Sequence, residues 1–373
     1  MSETLSDREM LKRAFLAKAG LAGARRETMA GDASTRLYER LHLAEGRTLI
    51  LMDQPPRLET APCPPNATPE ERLALGYNAA YRLAAGRVDA FAAVAGHLHA
   101  QGFSTPQVIA LDAAHGFAVL EDLGDDLFAT VMDRGGDPRP LYEAAMDLQA
   151  ALHAAPPPAV LVSGEVRWPL LAYDALALKI GLDTFIEWWP RYVGAEPYSS
   201  EALAEWNALW APVRTRGEAG ADVFTHRDFH AENLLWLPER EGHARIGLLD
   251  FQDAVRGHRA WDLLHLLQGS GRRDVDPQLE AEMLDRYLAA SPGVNRDSFL
   301  ADYSALAALN NARLVGLWAR LVIRDDKPAY ARFLPRTWRR LERDLTHPAL
   351  APIRAWFDRY APSAERSTEE PAT

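Results

Sequence analysis

The sequence predicts an α+β protein in two lobes, a small β-rich amino-terminal lobe followed by a larger, mostly helical one. Three observations carry this expectation. At 373 residues the chain exceeds what one hydrophobic core usually organises, so it should divide. Short apolar runs bounded by turn residues crowd the first third of the chain, which is strand texture. Beyond residue 121 the texture is helical, broken by one strand-like island from Leu234 to Phe251. The expected boundaries are 1–120 for the first lobe, 121–126 for a hinge, 127–361 for the helical lobe and 362–373 for a polar, aperiodic, disordered tail.

The elements follow in order. Residues 5 to 22 place Leu5, Met10, Leu11, Phe15 and Leu21 among charges, which suits an amphipathic helix packed on the first lobe. From Arg26 to Met52 the pattern reads strand, turn, strand, with Gly31, Asp32, Ala33 and Ser34 supplying the turn. Asp53 to Pro69 holds too many prolines for a regular element and is a loop, because each proline fixes φ and removes a donor. Glu70 to Gln101 has helical apolar spacing with a break at Gly86. Val108 to Leu111 and Phe117 to Leu120 are two antiparallel strands.

Bulk properties narrow the function. The chain is 48% hydrophobic and 25% charged, an ordinary soluble composition. Its formal charge of −11 argues against a nucleic-acid footprint and favours a small-molecule partner. Cys63 is the one cysteine, so no intramolecular disulfide forms; a solvated thiol in a reducing compartment is expected. Residues 1 to 18 lack the apolar run of a secretory signal or a membrane span, so a cytoplasmic protein without a membrane partner is expected. Nothing in the sequence fixes an oligomeric state.

The chemistry concentrates in Thr225 to Leu235, which contains His226-Arg227-Asp228 and, four residues further on, Asn233; Leu249-Asp250-Phe251 follows. This is the pattern of the protein-kinase catalytic loop and its metal-binding Asp. A hydroxyl attacking the γ-phosphorus of ATP needs a carboxylate to orient it and take its proton, the role expected of Asp228. Mg2+ takes oxygen ligands from one or two side chains and fills the rest with phosphate and water, which suits Asn233 and Asp250. Between these two lie apolar runs flanking a polar turn, the signature of a β-hairpin that would bring both ligands to one point.

These residues resemble the aminoglycoside phosphotransferase and choline kinase superfamily, protein-kinase-like enzymes acting on small molecules. The Leu-Asp-Phe run at 249–251 matches its metal-binding segment, and Asp262 in Ala260-Trp261-Asp262-Leu263 matches a buried Asp that braces the catalytic loop, in company with His226. A helix-start carboxylate favoured by the dipole fits Asp262 as well. Within the superfamily the chain is most similar to bacterial kinases that phosphorylate N-acetylmuramic acid and N-acetylglucosamine at the anomeric hydroxyl. The stretches 31–38, 51–56, 120–125 and 249–255 carry that likeness.

The resemblance implies ATP and Mg2+ as cofactors, direct phosphoryl transfer to a sugar, and a place in cell-wall recycling. It puts the turn Gly31, Asp32, Ala33, Ser34 over the nucleotide and Glu121 and Leu123 at the adenine-binding hinge. No Lys lies between Lys18 and Lys179, so the phosphate-holding strand Lys of protein kinases is missing. Arg36 is the candidate substitute; a surface ion pair is the other reading. Glu232 stands where the resembling sugar kinases tend to have a basic residue. His230 is either a contact to the transferring phosphoryl or a packed loop histidine. Glu187 and Trp188 are either a sugar platform or, for the Trp pair, core. Two other functions stay open: a kinase of another small molecule (an aminoglycoside, an amino alcohol or a different sugar), and a catalytically silent kinase-like binding module.

Overall fold

The computed structural model describes residues 2–29, 36–55, 62–363 and 366, with side chains from residue 7 onward. The expected turn at Gly31, Asp32, Ala33 and Ser34 lies outside the described residues, as does most of the expected tail. The chain forms two compact units: Met1–Gly136 with Pro158–Leu170 and Glu232–Ala254, and Asp137–Pro157 with Leu171–Ala231 and Val255–Thr373.

The first unit is built on a five-stranded antiparallel sheet of β1 (Arg25–Thr28), β2 (Leu37–His42), β3 (Thr48–Asp53), β4 (Val108–Asp112) and β5 (Phe117–Glu121), in the order β1-β2-β3-β5-β4. Strand periodicity sorts its side chains between two faces. Leu41, Leu49, Leu51, Phe117 and Val119 face one way and bury Phe15 and Leu16 of the helix Ser2–Lys18. Met10 and Leu11, expected on the apolar face, are exposed at 61% and 39%. Ion pairs do that part of the docking: Lys12 Nζ reaches Glu39 at 2.7 Å and Asp53 at 2.8 Å, and Arg8 reaches Asp53 at 2.6 Å.

The Ala-rich stretch forms three helices, Pro69–Ala74, Tyr77–Tyr81 and Val88–Ala100, with Gly86 in the turn before the last at φ +74°. Cys63 is buried, with its thiol donating to the Pro64 carbonyl at 3.3 Å, so the expected solvated thiol is corrected. The expected hairpin is present: Leu234–Trp236 pairs antiparallel with Ile246–Leu248, Leu248 opposite Leu234. It is stitched to the first unit by the Trp236 amide on the Asp126 carbonyl at 2.7 Å and the Leu248 amide on the Ser104 carbonyl at 2.8 Å. Those bonds explain why 232–254, expected inside the helical lobe, clusters with the sheet, and why 121–126 lies within the first unit.

The second unit is mostly helical around Arg296–Ile323, a 28-residue helix. By length and composition this helix could cross a membrane, yet 72% of its apolar window is buried within the protein, where it is the core helix. Gly316 lies where a Cβ would come within 2.3 Å of the Thr184 and Phe185 backbone, so glycine permits the crossing with the helix Thr184–Val193. Two short strand pairs escaped the sequence reading: Val160–Ser163 with Val166–Pro169 in the first unit, and Ala221–Thr225 with Val255–His258 in the second. Arg366, within the expected tail, is buried and pairs with Glu342 and Asp358, both at 3.1 Å.

Candidate functional site

The sheet face turned away from the amino-terminal helix lines a cavity of about 310 Å3 in the first unit. Alternation explains its walls: Tyr38 and Arg40 of β2, Ile50 of β3 and Leu120 of β5 all belong to this face. Leu235 and Leu249 from the hairpin region add apolar surface, while Arg36, Asn233 and Asp250 make a polar end. Glu121, Leu123 and Glu232 line it too.

Asn233 and Asp250 meet because of the hairpin. Asn233 immediately precedes one strand and Asp250 lies two residues beyond the other, and the Leu249 amide donates to the Asn233 carbonyl at 3.0 Å. Asp250 adopts φ +59°, a left-handed conformation that Asp tolerates better than most side chains. Its neighbours fix it there: Phe251 is fully buried against Phe91 with ring centroids 4.7 Å apart, and the Asp253 carboxylate accepts from the Ala84 amide at 2.6 Å.

Arg36 is buried, not a surface residue. Its Nη1 donates to Asp250 Oδ1, Gln252 Oε1 and the Tyr38 hydroxyl, each at 3.0 Å. Arg40, the next cation on this face, is engaged by Asp122 at 2.7 Å and Asp125 at 2.6 Å. Burial pushes the Asp122 carboxyl up, but the Gly124 amide, Thr48 and Arg40 together hold it below the usual carboxylate range. Glu121 spends its carboxylate on Arg240 at 3.1 Å and its amide on the Gln107 carbonyl at 2.8 Å.

The second unit holds Asp228, half-buried in the loop after the strand Ala221–Thr225. The loop is braced from below. Asp262, 1% exposed in the helix Ala260–Leu267, accepts the His226 amide at 2.7 Å on one oxygen and the Arg227 amide at 2.8 Å on the other. Burial raises the Asp262 carboxyl to about 7, against the opposing pull of those two amides. Arg227 sits at φ +81°, a strained conformation for a side chain of its size, with its guanidinium 4.7 Å over the Tyr173 ring. The Asp228 amide donates to His226 Nδ1 at 3.3 Å, and its carbonyl accepts from the His230 amide at 3.0 Å.

A model of the "Phosphotransferase enzyme family" matches residues 26–309. The chain belongs to that family. It is 59% identical over 361 residues to the N-acetylmuramate/N-acetylglucosamine kinase of Caulobacter vibrioides, covering 97% of this chain and 99% of that protein. A protein of the same name from Pseudomonas aeruginosa is 30% identical over 318 residues, 83% of this chain and 81% of its own. Among solved structures, a choline/ethanolamine kinase family protein from Mesorhizobium loti aligns with a TM-score of 0.53 at 17% identity, covering 94% of this chain and 98% of that one. The chain is therefore a phosphotransferase, and its fold is the kinase-like α+β class that the sequence predicts.

Glu187 and Trp188 lie on the helix Thr184–Val193 of the second unit, Glu187 exposed. Trp188 is 8% exposed with the Arg191 guanidinium 4.5 Å over its ring, so it offers no open ring face for a sugar, and Trp189 packs in an aromatic core 5.0 Å from Trp338. The expected platform is corrected on that ground. Sequence reasoning missed Tyr38, Arg40 and Gln252. Strand alternation counted from Arg36 would have found the first two.

Proposed function

We propose that this protein is an ATP-dependent kinase that transfers the γ-phosphoryl group to a hydroxyl of N-acetylmuramate or N-acetylglucosamine, at the anomeric position. The observation that carries this reading is the hairpin that sets Asn233 and Asp250 side by side on the wall of a cavity with an apolar end. The kinship with kinases of these two sugars supplies the substrate class.

In this reading adenine lies against Ile50 and Leu120 beside the Glu121 to Leu123 backbone, and the phosphates run toward Arg36. The fit of Mg2+ rests on the donor set: one amide oxygen and one carboxylate, hard ligands that leave positions for phosphate oxygens and water. Bound by Asn233 and Asp250, the ion would offset charge on the β- and γ-phosphate oxygens.

Asp228 orients the sugar hydroxyl and accepts its proton. The hydroxyl oxygen bonds to the γ-phosphorus while the bond to the β,γ-bridging oxygen breaks, and ADP leaves with that electron pair. The backbone bonds to His226, His230 and, through its neighbours, Asp262 hold the carboxylate in place. His230 and Glu232 are the remaining candidates for touching phosphoryl group or sugar.

The test is product identification by 31P and 1H NMR with Mg2+, ATP and a panel of amino sugars and aminoglycosides. An anomeric sugar phosphate is expected, and Asp228→Asn should lower kcat by ~10²–10⁴-fold with ATP affinity unchanged. Turnover of kanamycin without any sugar would sink the substrate assignment, and no turnover of any acceptor would favour a silent binding module.

A further inference from the structure

The helix Leu334–Asp344 carries Arg336, Arg339, Arg340 and Arg343 at the spacing of one helical face. In the second unit these four arginines line a cavity of about 370 Å3, together with Asp274 and Asp276. In a chain of net charge −11, such a concentration of guanidinium groups needs an account.

The carboxylates nearby are already committed. Asp274 accepts from Arg336 Nε at 2.9 Å, and Glu280 is held by Arg343 at 2.7 and 3.0 Å and by the Tyr303 hydroxyl at 2.8 Å. Asp276 caps the 13-residue helix Pro277–Ala289, accepting from the Gln278 amide at 2.9 Å. That helix presents its amino-terminal end to the same cavity, through Asp276 and Pro277.

Arg340 is left over. It is 6% exposed, yet Asp274 and Glu280 come no closer than 3.8 and 3.9 Å, and among the described residues its one hydrogen bond is a long 3.4 Å contact to the Val275 carbonyl. A guanidinium carries five donors and keeps its charge, so burying one this sparsely bonded is costly. Burial and the neighbouring Arg343 both push its pKa down.

We infer that this cavity binds a phosphate group, free or as the monoester of a small metabolite, with Arg340 as the central donor and Arg339 at the rim. The oxygens of a tetrahedral anion can take several N–H donors at once, and four guanidiniums line the cavity with two carboxylates, Asp274 and Asp276, while Glu280 and Asp344 beside Arg343 are not part of its lining. This inference does not depend on the reading of the catalytic site.

The test uses the full chain saturated with Mg2+ and the non-hydrolysable ATP analogue AMP-PNP, whose γ-phosphate fills the proposed phosphoryl position, so that the proposed nucleotide site cannot report. Inorganic phosphate is titrated calorimetrically at constant ionic strength against a chloride control. One-to-one binding that weakens as salt rises is expected, with Arg340→Gln lowering affinity at least ~10-fold. Arg339→Gln, at a residue whose side chain is 42% exposed and so without risk to folding, should lower it several-fold. A parallel titration with glucose 1-phosphate names the source: tighter binding than inorganic phosphate points to an ester, weaker to the free ion. No phosphate-specific heat in the wild type, or wild-type affinity in Arg339→Gln and in any folded Arg340→Gln, overturns the inference.

Discussion

Asp262→Asn separates the two things that Asp262 does. The wild-type carboxylate accepts one backbone amide on each oxygen, at 2.7 and 2.8 Å. Asparagine keeps one oxygen and turns the other into a donor, so either the His226 or the Arg227 amide loses its acceptor; at pH 5 the wild-type carboxyl is itself neutral, and the cost is that of a buried amide left unsatisfied, about 1–3 kcal/mol. Against this, the substitution removes a buried ionisable group. The unfolded chain releases the Asp proton near the ordinary value of 3.8, whereas the folded chain holds it to about 7. Between those values the folded state binds more protons than the unfolded one, so this group's contribution to stability falls as pH rises and is fully lost above the folded value. From pH 5 to 7 that fall amounts to roughly 2 kcal/mol in the wild type, because the folded group is only half-ionised at pH 7, and it is absent from the variant. Asp344, also raised to about 7 by burial, gives the same slope in both proteins and cancels in the difference. Urea unfolding of both proteins at pH 5, 6, 7 and 8 should show the variant less stable at pH 5 and the gap narrowing by ~2–3 kcal/mol by pH 8. A gap that is constant across the range, or that widens with pH, would refute the reasoning.

Two further outcomes follow from the geometry. Asp250→Asn keeps a residue type that tolerates the left-handed backbone, and its side chain is 42% exposed, so urea stability should change by less than ~1 kcal/mol while the Mg2+ concentration for half-maximal turnover rises at least ~10-fold; unchanged Mg2+ dependence would remove Asp250 from the proposed metal site. Gly316→Ala drives a Cβ to within 2.3 Å of the Thr184 and Phe185 backbone and should cost ~3 kcal/mol or more in urea, without altering the nucleotide affinity of whatever protein remains folded.

Much of this was legible in the sequence, for identifiable reasons. The sheet strands announce themselves because one face of each is apolar with period two, and the Asn233 to Asp250 hairpin because a polar turn interrupts two apolar runs. The pairs 160–169 and 221–258 did not announce themselves. Each strand has only four or five residues, and in the second pair the partners are separated by some thirty residues containing the whole catalytic loop. Pairing at that distance is set by packing, not by local turn chemistry. The opening helix was legible as a helix, but its docking was not: exposed Met10 and Leu11 are compensated by buried ion pairs of Lys12 and Arg8, which an apolar pattern cannot reveal.

The same alternation decides which cations share the cavity face where the strand lysine is missing. Lys12 is close to the sheet, but it pairs with Glu39, which stands opposite Leu51 and therefore shares the face covered by the amino-terminal helix. The cavity face carries Arg36 and Arg40, and Arg40 is committed to Asp122 and Asp125. Under the proposed function, then, Arg36 is the cation placed to meet phosphate, and it begins from a bond to Asp250, the proposed metal ligand. A nucleotide bound with Mg2+ would supply each with a new partner: the ion for Asp250 and a phosphate oxygen for Arg36. Tyr38 and Gln252, both bonded to Arg36, keep the guanidinium near that position through the exchange. Replacing Arg36 with Lys would preserve the charge but lose this planar fork of donors, so the substitution that restores the protein-kinase residue type is not a conservative one here.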